Sequence, residues 1–298
     1  MLNKKTLIAV GVVVLLAACG GDKDKVDGKE DLVEVPDTIK TTVVNVGGEL
    51  FSVPSPIQTA LLIQKSGVTY DKTILHTSNK VNTYSTDYLR ALNLGIYGAD
   101  LGYVSLYNQT QDAIGYLGAL KQLADKLGVS AAFDAGTMKR IEVNITNKDS
   151  MLVLVGIAYR SSDAFLKNNQ RNDVSSLILT GGWIESMHFS VAAYKAKGTN
   201  ELKWRIAEQK QALGSLIKIL SNYQGEEVKA LAIELNDLSK IYEGIQFKYN
   251  FVEPTHDSLK KVTYINSTTE VMVSEEQITQ IAAKIQEIRS KIVNSSNS

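Results

Sequence analysis

Between Pro56 and Pro254 the chain contains no proline, and through most of that span apolar side chains recur at intervals of three and four. That is the period of an α-helix with one buried face, and the absence of proline removes the commonest interruption. Ser55-Pro56 places proline at a first helical position, followed by IQTALLIQKS. The pattern then predicts helices over about 86–107, 109–127 (stopping at Gly128), 135–145, 149–168, 172–196, 200–222 and 226–247. Ile114, Leu117, Leu120, Leu123, Ala124 and Leu127 fall on one stripe that is expected to be buried. Val228, Leu231, Leu235, Leu238 and Ile241-Tyr242 keep the same period in the last of these segments.

The flanks read differently. Residues 38–54 are rich in Thr and Val and are broken by Gly47-Gly48, which predicts an extended arm or a short strand pair. Residues 248–273 hold short β-prone patches around Pro254, consistent with an irregular excursion or a small hairpin. Ser274-Glu275-Glu276-Gln277 has the form of a capping box. Ile278, Ile281, Ile285, Ile288 and Ile292 follow at alternating spacings of three and four. Such a seam either docks on the parent domain or grips a partner helix. The fold class expected is therefore all-α: a helical bundle over 55–247, an extended arm over 38–54, and an irregular excursion with a C-terminal helix over 248–298.

Sliding the chain by 86 residues superposes several uncommon positions: Asp87 on Asp173, Gly95 on Gly181, Tyr97 on Trp183, Leu101 on Met187 and Tyr103 on Phe189. This predicts two similar helical hairpins, with the glycines allowing close helix approach. The period is too long for the common helical solenoid repeats.

The first residues form an address. Lys4 and Lys5 precede the twelve-residue apolar run Leu7–Ala18, which is shorter than the roughly 20 residues of a membrane-spanning helix. The run ends in Leu16-Ala17-Ala18-Cys19, the form of a lipobox. Residues 1–18 read as a signal peptide, and Cys19, the chain's single cysteine, reads as the lipidation site. Acyl chains there, at roughly 0.8 kcal/mol per buried methylene, would anchor the mature protein to a membrane. With Cys19 acylated, no thiol remains for a disulfide, a nucleophile or a metal site. Residues 19–37 begin as a charged, glycine-containing stretch that reads as a flexible tether.

Thirty-two basic side chains balance 32 acidic ones, and no basic stripe occurs, so no nucleic-acid partner is expected. The sequence contains no HExxH, Gly-x-Ser-x-Gly, P-loop or Gly-x-Gly-x-x-Gly motif. Glu185-Ser186-Met187-His188 puts a carboxylate and an imidazole on one helix face, as di-iron bundles require. Those bundles need the motif twice, and Ala99 and Gly102 stand at the corresponding positions of the other half. No metal site and no cofactor are therefore expected, and the enzyme prediction is negative. Aromatic residues concentrate in the two duplicated segments. A ligand cleft lined by Tyr97, Asp100, Tyr103, Trp183, Glu185 and His188 is one reading of them; half-buried bundle residues bonded through their hydroxyls is the other.

Phe51-Ser52-Val53-Pro54-Ser55-Pro56, Gly98-Ala99-Asp100-Leu101-Gly102-Tyr103, Asn147-Lys148-Asp149-Ser150 and Gly181-Gly182-Trp183-Ile184-Glu185 resemble segments of a family of uncharacterised Bacteroidota lipoproteins. The resemblance covers roughly residues 50–247. It implies an all-helical domain and a cell-envelope location, and it implies no activity; with the lipobox at Cys19, the expected location is the outer membrane, lipid-anchored on either its periplasmic or its surface face. The leading expectation is a lipid-anchored binding or scaffolding module whose partner is a protein or a small molecule. The alternatives are an enzyme or metal- or ligand-binding protein using a cleft around Asp100, Glu185 and His188, and an assembly component using the isoleucine seam.

Overall fold

A computed structural model of the chain describes residues 41–46, 49–54, 56–132 and 135–295. The signal peptide, the lipobox with Cys19 and the tether predicted over 19–37 lie outside the described residues.

The described residues are mostly helical. In chain order they form the antiparallel pair β1 (Thr41–Val46) and β2 (Glu49–Pro54), then α1 (Pro56–Lys65), α2 (Asp87–Leu106), α3 (Thr110–Lys126), α4 (Ala135–Val143), α5 (Lys148–Asn168) and α6 (Asn172–Lys197). α7 (Asn200–Ala207), α8 (Gln209–Leu220) and α9 (Glu226–Glu243) follow. A β excursion then precedes α10 (Glu275–Val293). No described helix is long and apolar enough to cross a membrane.

The helices start where local chemistry allows. Thr86, Asn147 and Thr199 each accept a hydrogen bond from a backbone N–H of the first turn of α2, α5 and α7. The capping box of α10 is formed in both directions: Gln277 N–H donates to Ser274 Oγ at 3.1 Å, and Ser274 N–H to Gln277 Oε1 at 2.9 Å. α6 stops at Gly198, whose φ of 63° lies in the left-handed region.

α2 and α6 are the centre of the domain, buried along most of their length. They meet at Gly95 and Gly181. A Cβ on Gly95 would overlap the Ile178 carbonyl, and one on Gly181 would overlap the Leu92 carbonyl. The contact is reciprocal, since each member of one pair stands 86 residues from its counterpart in the other. Further along, Tyr103 and Phe189 pack with ring centroids 4.8 Å apart. Both contacts pair residues that superpose under the 86-residue shift, so the duplicated segments form the two sides of one quasi-symmetric helix pair running in the same direction. α1 and α5 cover this pair, α3 lies along α2, and α7, α8 and α10 lie along α6.

Several expectations change. The segment predicted as one helix over 200–222 is divided at Glu208 into α7 and α8, although Glu208 itself keeps right-handed helical angles and its N–H still donates to the Trp204 carbonyl at 2.8 Å. α9 ends at Glu243 and a strand begins at Gln246, so the helical domain closes earlier than residue 247. In α3, Ile114 is 50% exposed and leaves the predicted stripe; Ala113, Tyr116 and Leu117 take the buried face beside Leu123 and Ala124. The isoleucine seam is occupied: Ile278, Ile281, Ile285, Ile288 and Ile292 are all buried against the parent domain. That face is therefore not free to grip a partner helix.

The excursion is an ordered arm. β3 (Gln246–Asn250) pairs with β6 (Thr268–Met272), and beyond them β4 (Thr255–Asp257) pairs with β5 (Val262–Tyr264), both antiparallel.

Candidate functional site

Asp100 from α2 and Glu185 from α6 share the interior, and both are fully buried. Arg289 from α10 joins them at 7% exposure. Its Nε donates to Glu185 Oε2 at 2.5 Å and one terminal nitrogen to Oε1 at 2.7 Å, a bidentate fork. The same guanidinium reaches the Ile74 carbonyl at 3.3 Å. His188, one turn along from Glu185, also donates from Nε2 to the Ile74 carbonyl, at 3.0 Å.

Neither oxygen of Asp100 accepts a well-formed hydrogen bond. Burial pushes its pKa well above the usual carboxylate range, the neighbouring Glu185 carboxylate pushes the same way, and Arg289 opposes them. Burial and the Glu185 carboxylate thus favour the protonated form of Asp100. Burial lowers the pKa of Arg289, but the charge and hydrogen bonds of Glu185, with Asp100 and Tyr116 adding to them, outweigh it and raise the value, so Arg289 stays charged. His76 is pushed down to about 3, first by burial and then by the Arg289 charge. His188 is lowered by burial, partly offset by Glu185. A guanidinium forked onto one carboxylate, beside an acid biased towards its neutral form, is an arrangement that a low-dielectric interior tolerates.

A segment over 66–85 closes this cluster from solvent. It is irregular, built around short 3₁₀ turns at Lys72–Ile74 and Ser78–Thr83, so its carbonyls lack ladder partners. Side chains of the helices supply them. The hydroxyl of Tyr107 donates to Val68 O at 2.6 Å, that of Tyr116 to His76 O at 2.6 Å, and that of Tyr97 to Thr77 O at 2.8 Å. The Asp71 N–H donates to the Tyr103 hydroxyl at 3.2 Å. His76 stacks on Tyr97 and bonds the Tyr84 hydroxyl. Trp183 is buried with its Nε1–H on Gln209 Oε1 at 3.0 Å.

Of the six residues predicted to line a ligand cleft, Asp100, Glu185 and His188 do converge, but in a sealed interior. Tyr97, Tyr103 and Trp183 are 0–1% exposed and spend their polar atoms on the chain itself. The expected cleft is corrected to a core cluster: hydroxyls bonded to backbone under a covering segment leave no surface for a ligand. Arg289 was missed by sequence reasoning. The available signal was its place beside Ile288 and one turn after Ile285, since an arginine on the buried side of an apolar seam requires an anion. Among the described residues no group of three or more His, Cys, Asp or Glu side chains is arranged to hold a metal ion.

The open feature is elsewhere. A cavity of about 290 Å³ lies between α2, α3, α4 and α5. Leu94, Leu101, Leu117, Leu120, Met138, Ile141, Val155 and Ala158 form its apolar walls, and Lys121, Asp125 and Ser130 are its polar margin. Lys121 is paired there with Glu142. Tyr159 crosses from the cavity wall to donate to Gly95 O at 2.9 Å, joining this site to the central helix pair.

Compared with models of protein families, with curated proteins and with solved structures, the chain matches none.

Replacing Asp100 tests the electrostatic account. An acid with a raised folded pKa contributes a stability that is intact below its unfolded pKa and lost as pH rises toward the folded one. Asp100→Asn cannot ionise, so its stability relative to the parent is expected to climb by about 1.4 kcal/mol per pH unit above pH 4. The climb levels off at the folded pKa. The histidines, with lowered pKa values, lose stability as pH falls below about 6.5 in both proteins, and that common part cancels in the difference. Thermal denaturation of both proteins from pH 4 to pH 9 measures it. A difference that stays flat with pH would show Asp100 to be ionised in the fold.

Proposed function

We propose that this chain is an outer-membrane lipoprotein, acylated at Cys19, whose helical domain is a non-catalytic module that binds a small, mostly apolar molecule between α2, α3, α4 and α5. The observation that carries this reading is the cavity of about 290 Å³, with apolar walls and a margin bearing Lys121, Asp125 and Ser130. Apolar concavities with a few polar groups at one end are the usual form of small-molecule sites. The two buried acids support binding over catalysis because a substrate has no path to them: Asp100 and Glu185 have no exposed surface. The lipid anchor rests on Leu16-Ala17-Ala18-Cys19 and the apolar run before it.

Ala158, on the cavity wall, provides the test. The full chain is titrated with a fluorescent apolar probe, and fatty alcohols of increasing length compete for it. Saturable binding is expected, with a stabilisation of about 2.7 kcal/mol at a hundredfold excess over Kd. Ala158→Phe fills the space, so probe binding should be lost while the melting temperature holds or rises. Undiminished binding to the Phe variant would remove the cavity from the account. For the anchor, metabolic labelling with an alkyne fatty acid should mark the parent, and Cys19→Ser should abolish the label.

A further inference from the structure

Large apolar side chains left exposed are concentrated in one place. Of the thirteen among the described residues, nine lie between Phe247 and Met272, on the β arm. The register explains the distribution along its base: Phe247 pairs with Val271 and Tyr249 with Thr269, giving one apolar face, while Lys248 opposite Glu270 lies on the other. Tyr249 and Phe251, further out, are 63% and 65% exposed.

The tip is the most unusual part. Asp257 Oδ1 accepts from the N–H groups of Leu259 and Lys260 at 3.1 and 3.0 Å, fixing the turn. Lys261 completes it with a φ of 54°. This built turn holds Leu259 98% exposed, directly followed by Lys260, whose ammonium lies 3.6 Å from Asp257 Oδ2 at the surface, and by Lys261. Of the arm's other acids, Glu270 lies at the base against Lys248, and Glu253 precedes the β4–β5 hairpin.

We propose that the tip of this arm is a membrane-contact site that inserts Leu259 into an anionic lipid surface. Leu259 enters the acyl boundary, Lys260 and Lys261 meet the phosphates, and Tyr264 sits at headgroup depth, where aromatic rings with a polar end are favoured. A protein partner would call for a central buried anchor on a broad, shaped face with a polar rim. Here the most exposed apolar residue stands at the end of a narrow ribbon with two cations next to it, which is the form of a wedge. The inference is independent of the cavity and of acylation at Cys19.

The test uses the full chain carrying Cys19→Ser and Leu259→Trp, with the Cys19→Ser protein as background for Trp183 and Trp204. It is mixed with vesicles of phosphatidylcholine alone or with added phosphatidylglycerol. The expected result is a blue-shifted emission with the anionic vesicles, quenched by brominated acyl chains. Replacing Lys260 and Lys261 by serine should weaken partition by about fivefold per lysine. Emission unmoved by either vesicle overturns the proposal. So does a shift that appears without lipid as protein concentration rises, which would assign the tip to a second copy of the chain.

Discussion

Gly181→Leu is expected to abolish folding. A Cβ at Gly181 would overlap the Leu92 carbonyl and lie within 3.0 Å of the Leu92 Cα, so the obstacle is backbone and no rotamer change relieves it. α2 and α6 would have to separate along the line that also holds Asp100 against Glu185 and Tyr103 against Phe189. Even Gly181→Ala, which gains about 1 kcal/mol of helix propensity, should lose about 3 kcal/mol net to the clash. Gly214 is the control: it lies in α8, and nothing stands within 4 Å of a Cβ placed there. Gly214→Ala should stabilise by about 0.5–1 kcal/mol. Urea denaturation of the three variants decides the matter. A Gly181→Ala protein as stable as the parent would mean that the helix contact is looser than described.

Arg289→Ala should be the most damaging change at a charged position, costing about 3–5 kcal/mol. The loss is less the pair's own attraction than the carboxylate left behind: Glu185 has no exposed surface and would retain no cation. Arg289→Lys should recover part of the loss, because one ammonium restores the charge without the fork. The double change Arg289→Met with Glu185→Leu should return stability to near or above the parent, since both desolvation costs vanish together. Denaturation measured for the singles and the double forms a thermodynamic cycle. If Arg289→Ala alone falls within 1 kcal/mol of the parent, the bidentate pair does not exist in solution.

The helices were legible because their signals are local. The box at Ser274 and Gln277, Gly128 at the end of α3, and the long proline-free span are each read within a few residues. Positions 95 and 181 were legible for another reason: two glycines beside aromatics at a fixed shift mark a place where backbone packs on backbone and side chains are excluded. The division at Glu208 was missed because the backbone there stays in the right-handed helical region and carries no compositional mark. Ile114 was misplaced because the buried stripe runs through the smaller Ala113 beside it, and apolar size alone does not say which of two neighbouring positions faces the core.

The site was legible only in its ingredients. Glu185 and His188 stood out by spacing, yet their roles depend on Arg289, which is 104 residues from Glu185. The tyrosines stood out by density, yet whether they line a cleft or seal a core depends on where the carbonyls of 66–85 fall. The cavity left no trace, because its walls are the leucines, isoleucines and valines of any helical core.

By itself, the sequence settled which segments are helical, where several of them start and stop, and that two of them share a glycine–aromatic pattern. These follow from hydrogen bonds and rotamer preferences that act within one or two turns. Only the tertiary structure decided that the isoleucine face is covered, that the surroundings of Asp100 disfavour its charge, that the aromatic residues fasten a covering segment, and that an apolar space stays open between α2, α3, α4 and α5. Each of those depends on which distant side chains exclude water from a given atom, and exclusion of water belongs to the packed whole.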